Sequence, residues 1–162
     1  MNELELRHAL RTAVDEVLEK MFFAETLGEC QSCDSECAAG KKLAVNLTFA
    51  GEPSGFLLLH MSASAARQIA ADFLGMEEES VSAQQTSEVL CELANMICGS
   101  VLSRVESAAT FHLGAPQTVA PSVEAMMNSG GTRYCVQLTN GRLAVHLGTG
   151  SPICPPTVLS AF

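Results

Sequence analysis

The sequence contains the same order of patterns twice: a long amphipathic helix, followed by two strand-like segments that form a hairpin. The first strands align Leu43–Thr48 with Tyr134–Thr139, and the second strands align Phe56–Met61 with Arg142–Leu147. In the second half, Asn140-Gly141 between the strands is a strong signal for a tight hairpin. Two such units can pool their strands in one sheet. The sequence therefore predicts a two-layer α/β (α+β) fold, with an antiparallel-rich sheet and the long helices packed on one face.

The chain is long enough for one domain, which we place over residues 1–162, with pseudo-repeats at roughly 1–75 and 80–150. The first helix is predicted from Glu3 to Leu27, and a cysteine-containing loop follows over residues 28–40.

Further local signals place the remaining helices. A short helix is predicted over Ala63–Leu74, ending at Gly75, a residue typical of helix C-termini. The longest helical pattern covers Ala83–Val105, and Ser82 with Gln85 forms a capping-box pattern at its start. Between this helix and the second hairpin, residues 110–131 are expected to contain one or two irregular strands.

The composition excludes several classes of function. The formal net charge of −9 argues against a nucleic-acid or anionic-membrane binder, because both need a clustered basic surface. No apolar run reaches the roughly 18 residues of a membrane-spanning helix, and no secretory signal is visible. An odd count of seven cysteines without such a signal favours a reducing compartment over a disulfide scaffold. We therefore expect a cytoplasmic protein.

The longest helix has two contrasting faces. At 3.6 residues per turn, one face presents the polar residues Glu88, Glu92 and Asn95 together with Gly99. Such a face is often simply solvated, although a glycine allows another backbone to approach closely. The opposite face is an apolar stripe that should pack on the sheet, formed by Leu90, Leu93, Ala94, Ile97 and Val101.

The segment Glu92–Gly99 resembles the signature helix of the CheX/CheC family of chemotaxis phosphatases: a Glu and an Asn separated by two residues, then an apolar pair and a glycine. The order of elements is also similar, and Pro116 matches the family's proline in the segment before the closing hairpin. The chain is closer to the CheX type, with one active helix, than to CheC with two. Its first helix offers acids over Asp15–Met21 but no Glu-x-x-Asn.

This resemblance implies an activity and a partner. Proteins of the family hydrolyse the aspartyl phosphate of a CheY-type receiver domain. By resemblance, Asn95 would orient the attacking water, and Glu92 would pair with the receiver's active-site lysine. Glu88 and Gly99 would contribute to docking. The receiver supplies the divalent metal, so no cofactor of its own is expected for this chain. A homodimer joined through sheet edges is also implied.

Two other interpretations remain open at the level of sequence. The same helix face suits a non-catalytic domain that binds a receiver or another signalling protein. Alternatively, Cys30, Cys33 and Cys37 could form a metal or redox module. Such sites usually have four protein ligands, no second C-x2-C or nearby His completes this one, and a fourth ligand would have to come from Cys135, Cys154 or a partner chain.

Overall fold

A computed structural model describes residues 2–30, 41–105, 110–120 and 131–150. Within these ranges the chain forms three α-helices, a short 3₁₀ turn at Glu78–Ser80 and seven β-strands. The helices are α1 (Glu3–Met21), α2 (Ala63–Leu74) and α3 (Ala83–Val105). The strands are β1 (Thr26–Glu29), β2 (Lys42–Ala50), β3 (Gly55–Ser62), β4 (His112–Leu113), β5 (Gln117–Val119), β6 (Thr132–Leu138) and β7 (Gly141–Thr149).

All described strands join one antiparallel sheet in the order β1-β6-β7-β3-β2-β4, and β5 also pairs with β2. The two predicted hairpins, β2–β3 and β6–β7, meet through their second strands at the centre of the sheet. There Leu59 lies opposite Val145, and these residues occupy matching positions in the two pseudo-repeats. The halves are therefore related by an approximate two-fold axis through this pair, which confirms the predicted sheet of two helix-plus-hairpin units.

The long helices pack on the same face of the sheet, and each covers strands of the other half. Helix α1 contacts β6 and β1, whereas α3 contacts β2, β3 and β5. The two helices also pack against each other, and Arg104 Nη2 of α3 forms an ion pair with Glu16 Oε2 of α1 at 2.5 Å. The predicted two-layer architecture is confirmed, and its two halves are interlocked.

The core lies between the helix layer and the sheet. Residues on the opposite face of the central strands, among them Phe56, Leu58 and Ala144, are also buried, while alternate residues of these strands point into this core. Its side chains are almost completely shielded from solvent, and among the largest are Leu47, Leu57, Leu59, Leu93, Ile97, Tyr134 and Leu143.

The first helix is shorter than predicted. It ends at Met21 rather than Leu27, because Phe23 adopts a left-handed backbone with φ of 55° that no helix continues through. The chain then forms β1, which covers the first two residues of the predicted loop 28–40. The backbone N–H of Cys30 donates to the carbonyl of Cys135 on β6 at 2.9 Å. Residues 31–40 of that loop lie outside the described ranges.

Both other helices have the predicted ends. Helix α2 ends at Gly75, whose φ of 65° is the left-handed conformation that glycine adopts without strain. At the start of α3, the backbone N–H of Ser82 donates to Gln85 Oε1 at 2.9 Å. In return, the backbone N–H of Gln85 donates to Ser82 Oγ at 3.1 Å.

No helix of the described ranges combines the length and apolar character needed to cross a membrane.

Candidate functional site

Helix α3 presents the predicted polar face to solvent. Glu88 and Glu92 are exposed, and Asn95 and Gly99 are half-buried along the same side of the helix. The apolar stripe that was predicted to face the sheet is completely buried in the core. The structure therefore brings together the four residues that the sequence predicted to share one surface.

The side chains of this face differ in how they are held. Gln84 Nε2 donates to Glu88 Oε1 at 3.1 Å, so the Glu88 carboxylate is tethered to the preceding helical turn. Among the described residues, no hydrogen bond or ion pair engages the Glu92 carboxylate or the Asn95 carboxamide. These two groups can therefore bond to a partner without first breaking a bond within the described part of the chain.

A segment at the sheet edge, residues 111–116, runs beside this face of α3; we call it the edge segment. Cys91 Sγ donates to the carbonyl of Pro116 at 3.9 Å. At the other end, the position that a Cβ on Gly99 would occupy lies 3.9 Å from Leu113 Cδ1. Cys91 and Gly99 are each one helical turn from Asn95, before and after it. The edge segment therefore passes alongside Asn95 and forms one side of the candidate site.

The thiols near the site are poor nucleophiles. Burial raises the pKa of Cys98 to about 12, and burial, with a smaller contribution from the charge of Glu88, also raises the pKa of Cys91. Because their pKa values are raised, both thiols are protonated at neutral pH, and a protonated thiol is unreactive since the thiolate is the nucleophile. The face can position and polarise groups through its carboxylates and carboxamide, but these cysteines do not equip it for covalent catalysis.

The cysteine cluster predicted as an alternative site is only partly described. Cys30 is half-buried beside β6, at the far side of the sheet from β4 and β5. Cys33 and Cys37 lie outside the described residues. Within the ranges that the structure describes, no three His, Cys, Asp or Glu side chains lie close enough together to hold a metal ion.

The sequence signals also missed a part of the site. The sequence points to Pro116 but not to Leu113, because the approach of Leu113 to Gly99 depends on how the edge segment folds back onto α3. No local pattern reports such a contact between residues that are distant in sequence.

Residues 43–140 match the family described as chemotaxis phosphatase CheX. This range contains α3, the edge segment, the first hairpin except its first residue, and all of β6. The chain belongs to the CheX family. The predicted assignment to this family, made from Glu92, Asn95 and the order of elements, is therefore confirmed. A comparison with curated proteins finds no match.

Solved structures show the same fold at low sequence identity. CheX from Vibrio vulnificus superposes with a TM-score of 0.71 at 15% identity, covering 93% of this chain and 99% of that one. CheX from Desulfovibrio desulfuricans gives 0.70 at 17% identity, covering 90% of this chain and 99% of that one. The Borrelia burgdorferi chain from a CheX-CheY-BeF3-Mg complex gives 0.69 at 18% identity, covering 93% and 99%. These likenesses establish that this chain has the CheX fold over nearly its whole length.

Proposed function

We propose that this protein hydrolyses the aspartyl phosphate of a CheY-type receiver domain through the exposed face of α3. The observation that carries the proposal is the placement of Glu92 and Asn95 on one solvent-facing side of α3, with neither group bonded within the described chain. Membership of the CheX family and the crystallised complex of a CheX relative with CheY support it.

The proposed chemistry depends on positioning. Phosphoryl transfer needs an oriented nucleophile and stabilisation of charge on the phosphoryl oxygens, and little covalent work from the protein. A receiver contributes its own lysine and divalent cation. The Asn95 carboxamide can both donate and accept hydrogen bonds. In this proposal it holds a water in line with the phosphorus–oxygen bond, and the water's oxygen replaces the aspartyl oxygen to release inorganic phosphate.

Glu92 fixes the orientation of the complex in this proposal. Its carboxylate is exposed one turn before Asn95, and it pairs with the receiver lysine. An ion pair at an exposed site is weak, but its free energy rises when docking removes water from around it. Glu88, held by Gln84, adds negative charge on the same side. Because the chain carries a net charge of −9, overall attraction to an acidic receiver is not available, and local geometry must select the partner.

The test measures the decay of a receiver's acyl phosphate with and without the protein. Asn95→Ala is expected to lower the catalysed rate by about a hundredfold or more while much of the binding is retained. Asn46→Ala is the matched control, because Asn46 is a half-buried asparagine on β2. An unchanged phosphoryl lifetime with all cognate receivers would exclude phosphatase activity. Binding without accelerated decay would favour the non-catalytic interaction domain instead.

A charge reversal tests docking separately. Glu92→Lys places a cation opposite the receiver lysine, so the Michaelis constant is expected to rise through like-charge repulsion. Glu25→Lys is the control, since Glu25 is exposed and lies between α1 and β1. Equal effects of the two substitutions would mean that net charge, and not the position of Glu92, governs docking.

A further inference from the structure

Leu113 is an exposed apolar side chain that borders the polar face of α3. It is 39% exposed, and among the described residues outside α3 its Cδ1 is the heavy atom nearest to the position of a Cβ on Gly99. Leu113 pairs directly with Phe49 across the sheet, so both side chains point to the helix side. Phe49 is buried in the core, whereas Leu113 projects beyond the edge of it.

The edge segment holds Leu113 in this position through contacts on both sides. Phe111 packs edge-on against Phe49, with ring centres 6.0 Å apart. The backbone N–H of Gly114 donates to the carbonyl of Thr48 at 2.7 Å, and a Cβ on Gly114 would lie 2.9 Å from Thr48 Oγ1. A residue without a side chain is therefore needed at position 114 for this close approach. Leu113 is consequently fixed between two anchored neighbours.

Leu113 supplies apolar surface for binding, which the polar face of α3 lacks. The polar groups of the face exchange hydrogen bonds with water for hydrogen bonds with a partner, and the net gain of such exchanges is small. Burial of apolar surface is the main favourable term in most protein association. Leu113 offers apolar surface next to the gap that Gly99 leaves in the helix surface, and Gly99 lies one turn after Asn95.

We infer that Leu113 is a docking and selectivity residue that contacts an apolar side chain beside the phosphorylation site of the receiver. This inference rests on the proposed function, because it takes the receiver as the occupant of the α3 face. The argument for that occupant is continuity: a partner that brings its phosphoryl group to Asn95 covers Gly99 and the adjoining Leu113. Leu113 thereby favours receivers with an apolar residue at the matching position and disfavours those with a charged one, which would be desolvated without a partner.

Leu27, another exposed apolar residue, lacks this setting. Isolated apolar side chains are normal on protein surfaces and need no function. Leu27 is 57% exposed and also lies in a short strand, but that strand, β1, is at the opposite edge of the sheet. It therefore provides a matched control for an exposed leucine on an edge strand.

The experiment measures the affinity of the full chain for a receiver activated with beryllofluoride and Mg²⁺, which cannot be hydrolysed. Leu113→Gln is expected to weaken binding about tenfold, from the lost apolar burial and the desolvated amide. The Michaelis constant for the phosphorylated receiver should rise by the same factor with kcat unchanged. Leu113→Met, which keeps the apolar character, and Leu27→Gln should both bind as the wild type does.

The outcomes separate this inference from the proposed function. If the wild type accelerates dephosphorylation and Leu113→Gln binds as tightly as the wild type, the docking role is wrong and the phosphatase proposal stands. If the wild type binds without accelerating decay and Leu113→Gln weakens binding, the phosphatase proposal fails and the docking role stands. Equal losses in Leu113→Gln and Leu27→Gln would also overturn the docking role. Urea unfolding of each variant establishes that the substituted chains are folded as the wild type is.

Discussion

Replacing Gly99 by alanine should stabilise the protein while impairing its function. Gly99 lies inside α3 with an ordinary helical backbone, where glycine costs about 0.8–1 kcal/mol relative to alanine. The added Cβ would meet nothing closer than Leu113 Cδ1 at 3.9 Å, an ordinary van der Waals distance. The free energy of unfolding is therefore expected to rise by about 1 kcal/mol, which corresponds to a midpoint increase of roughly 2–4 °C for a domain of this size.

The same methyl group would occupy the gap on the docking face. Forcing a methyl into a close interface costs about 1–3 kcal/mol. The Michaelis constant for the phosphorylated receiver should accordingly rise by about tenfold or more. Stability and activity thus change in opposite directions, which distinguishes a docking defect from a folding defect.

Urea unfolding followed by circular dichroism and decay of the receiver phosphate measure the two effects. Gly75→Ala is the control: its surroundings are open, but its φ of 65° is left-handed, so alanine there should destabilise by about 1–2 kcal/mol. A lower unfolding free energy for Gly99→Ala would refute the packing argument. A higher unfolding free energy with an unchanged Michaelis constant would show that the gap at Gly99 plays no part in docking.

Three further predictions concern the framework around the site. Burial, reinforced by nearby cations, lowers the pKa of His60 from 6.5 to about 4. The stability gained from keeping His60 neutral is therefore complete above pH 6.5 and is lost as the pH falls towards 4. Between pH 7.5 and pH 5, the free energy of urea unfolding should fall by about 2 kcal/mol less in His60→Leu than in the wild type. The Tyr134 hydroxyl donates to Asp15 Oδ1 at 2.8 Å, so Tyr134→Phe should lower the free energy of urea unfolding by about 1–2 kcal/mol, and no loss would contradict a stabilising bond. A Cβ on Gly55 would lie 2.2 Å from the carbonyl oxygen of Gly148, so Gly55→Ala should lower the thermal midpoint strongly, and a wild-type midpoint would contradict this close strand approach.

Local signals allowed the helix carrying the site to be predicted closely. The cap formed by Ser82 and Gln85 involves residues three apart, and the two faces of α3 follow from helical spacing alone. Such interactions are determined within a few residues of sequence. For this reason the amino-acid sequence is sufficient to place Glu92 and Asn95 together on an exposed surface.

Strand β1 and the exact alignment of the two repeats escaped prediction, because both are set by contacts between residues that are distant in sequence. Thr26–Glu29 shows no alternation between buried and exposed residues, and it is a strand because it pairs with β6. In the sheet, Val45 lies opposite Leu59, and Tyr134 lies opposite Val145. Tyr134 therefore corresponds to Val45, two residues from the alignment suggested by the sequence. A slip of two residues keeps every side chain on the same face, so an alternating pattern cannot detect it.

The interlocking of the two halves has a consequence for synthesis on the ribosome. The strand that α1 covers, β6, begins about 110 residues after α1 ends, and β3 receives its central partner only when β7 is made. At translation speeds of about 5–20 residues per second, roughly 6–20 s pass between the synthesis of α1 and that of β6. During that time the apolar strand Gly55–Ser62 has an unpaired edge, which is a hazard for association between nascent chains. The protein is thus committed to folding after nearly all of both repeats have been translated, and neither repeat can serve as a folded template for the other.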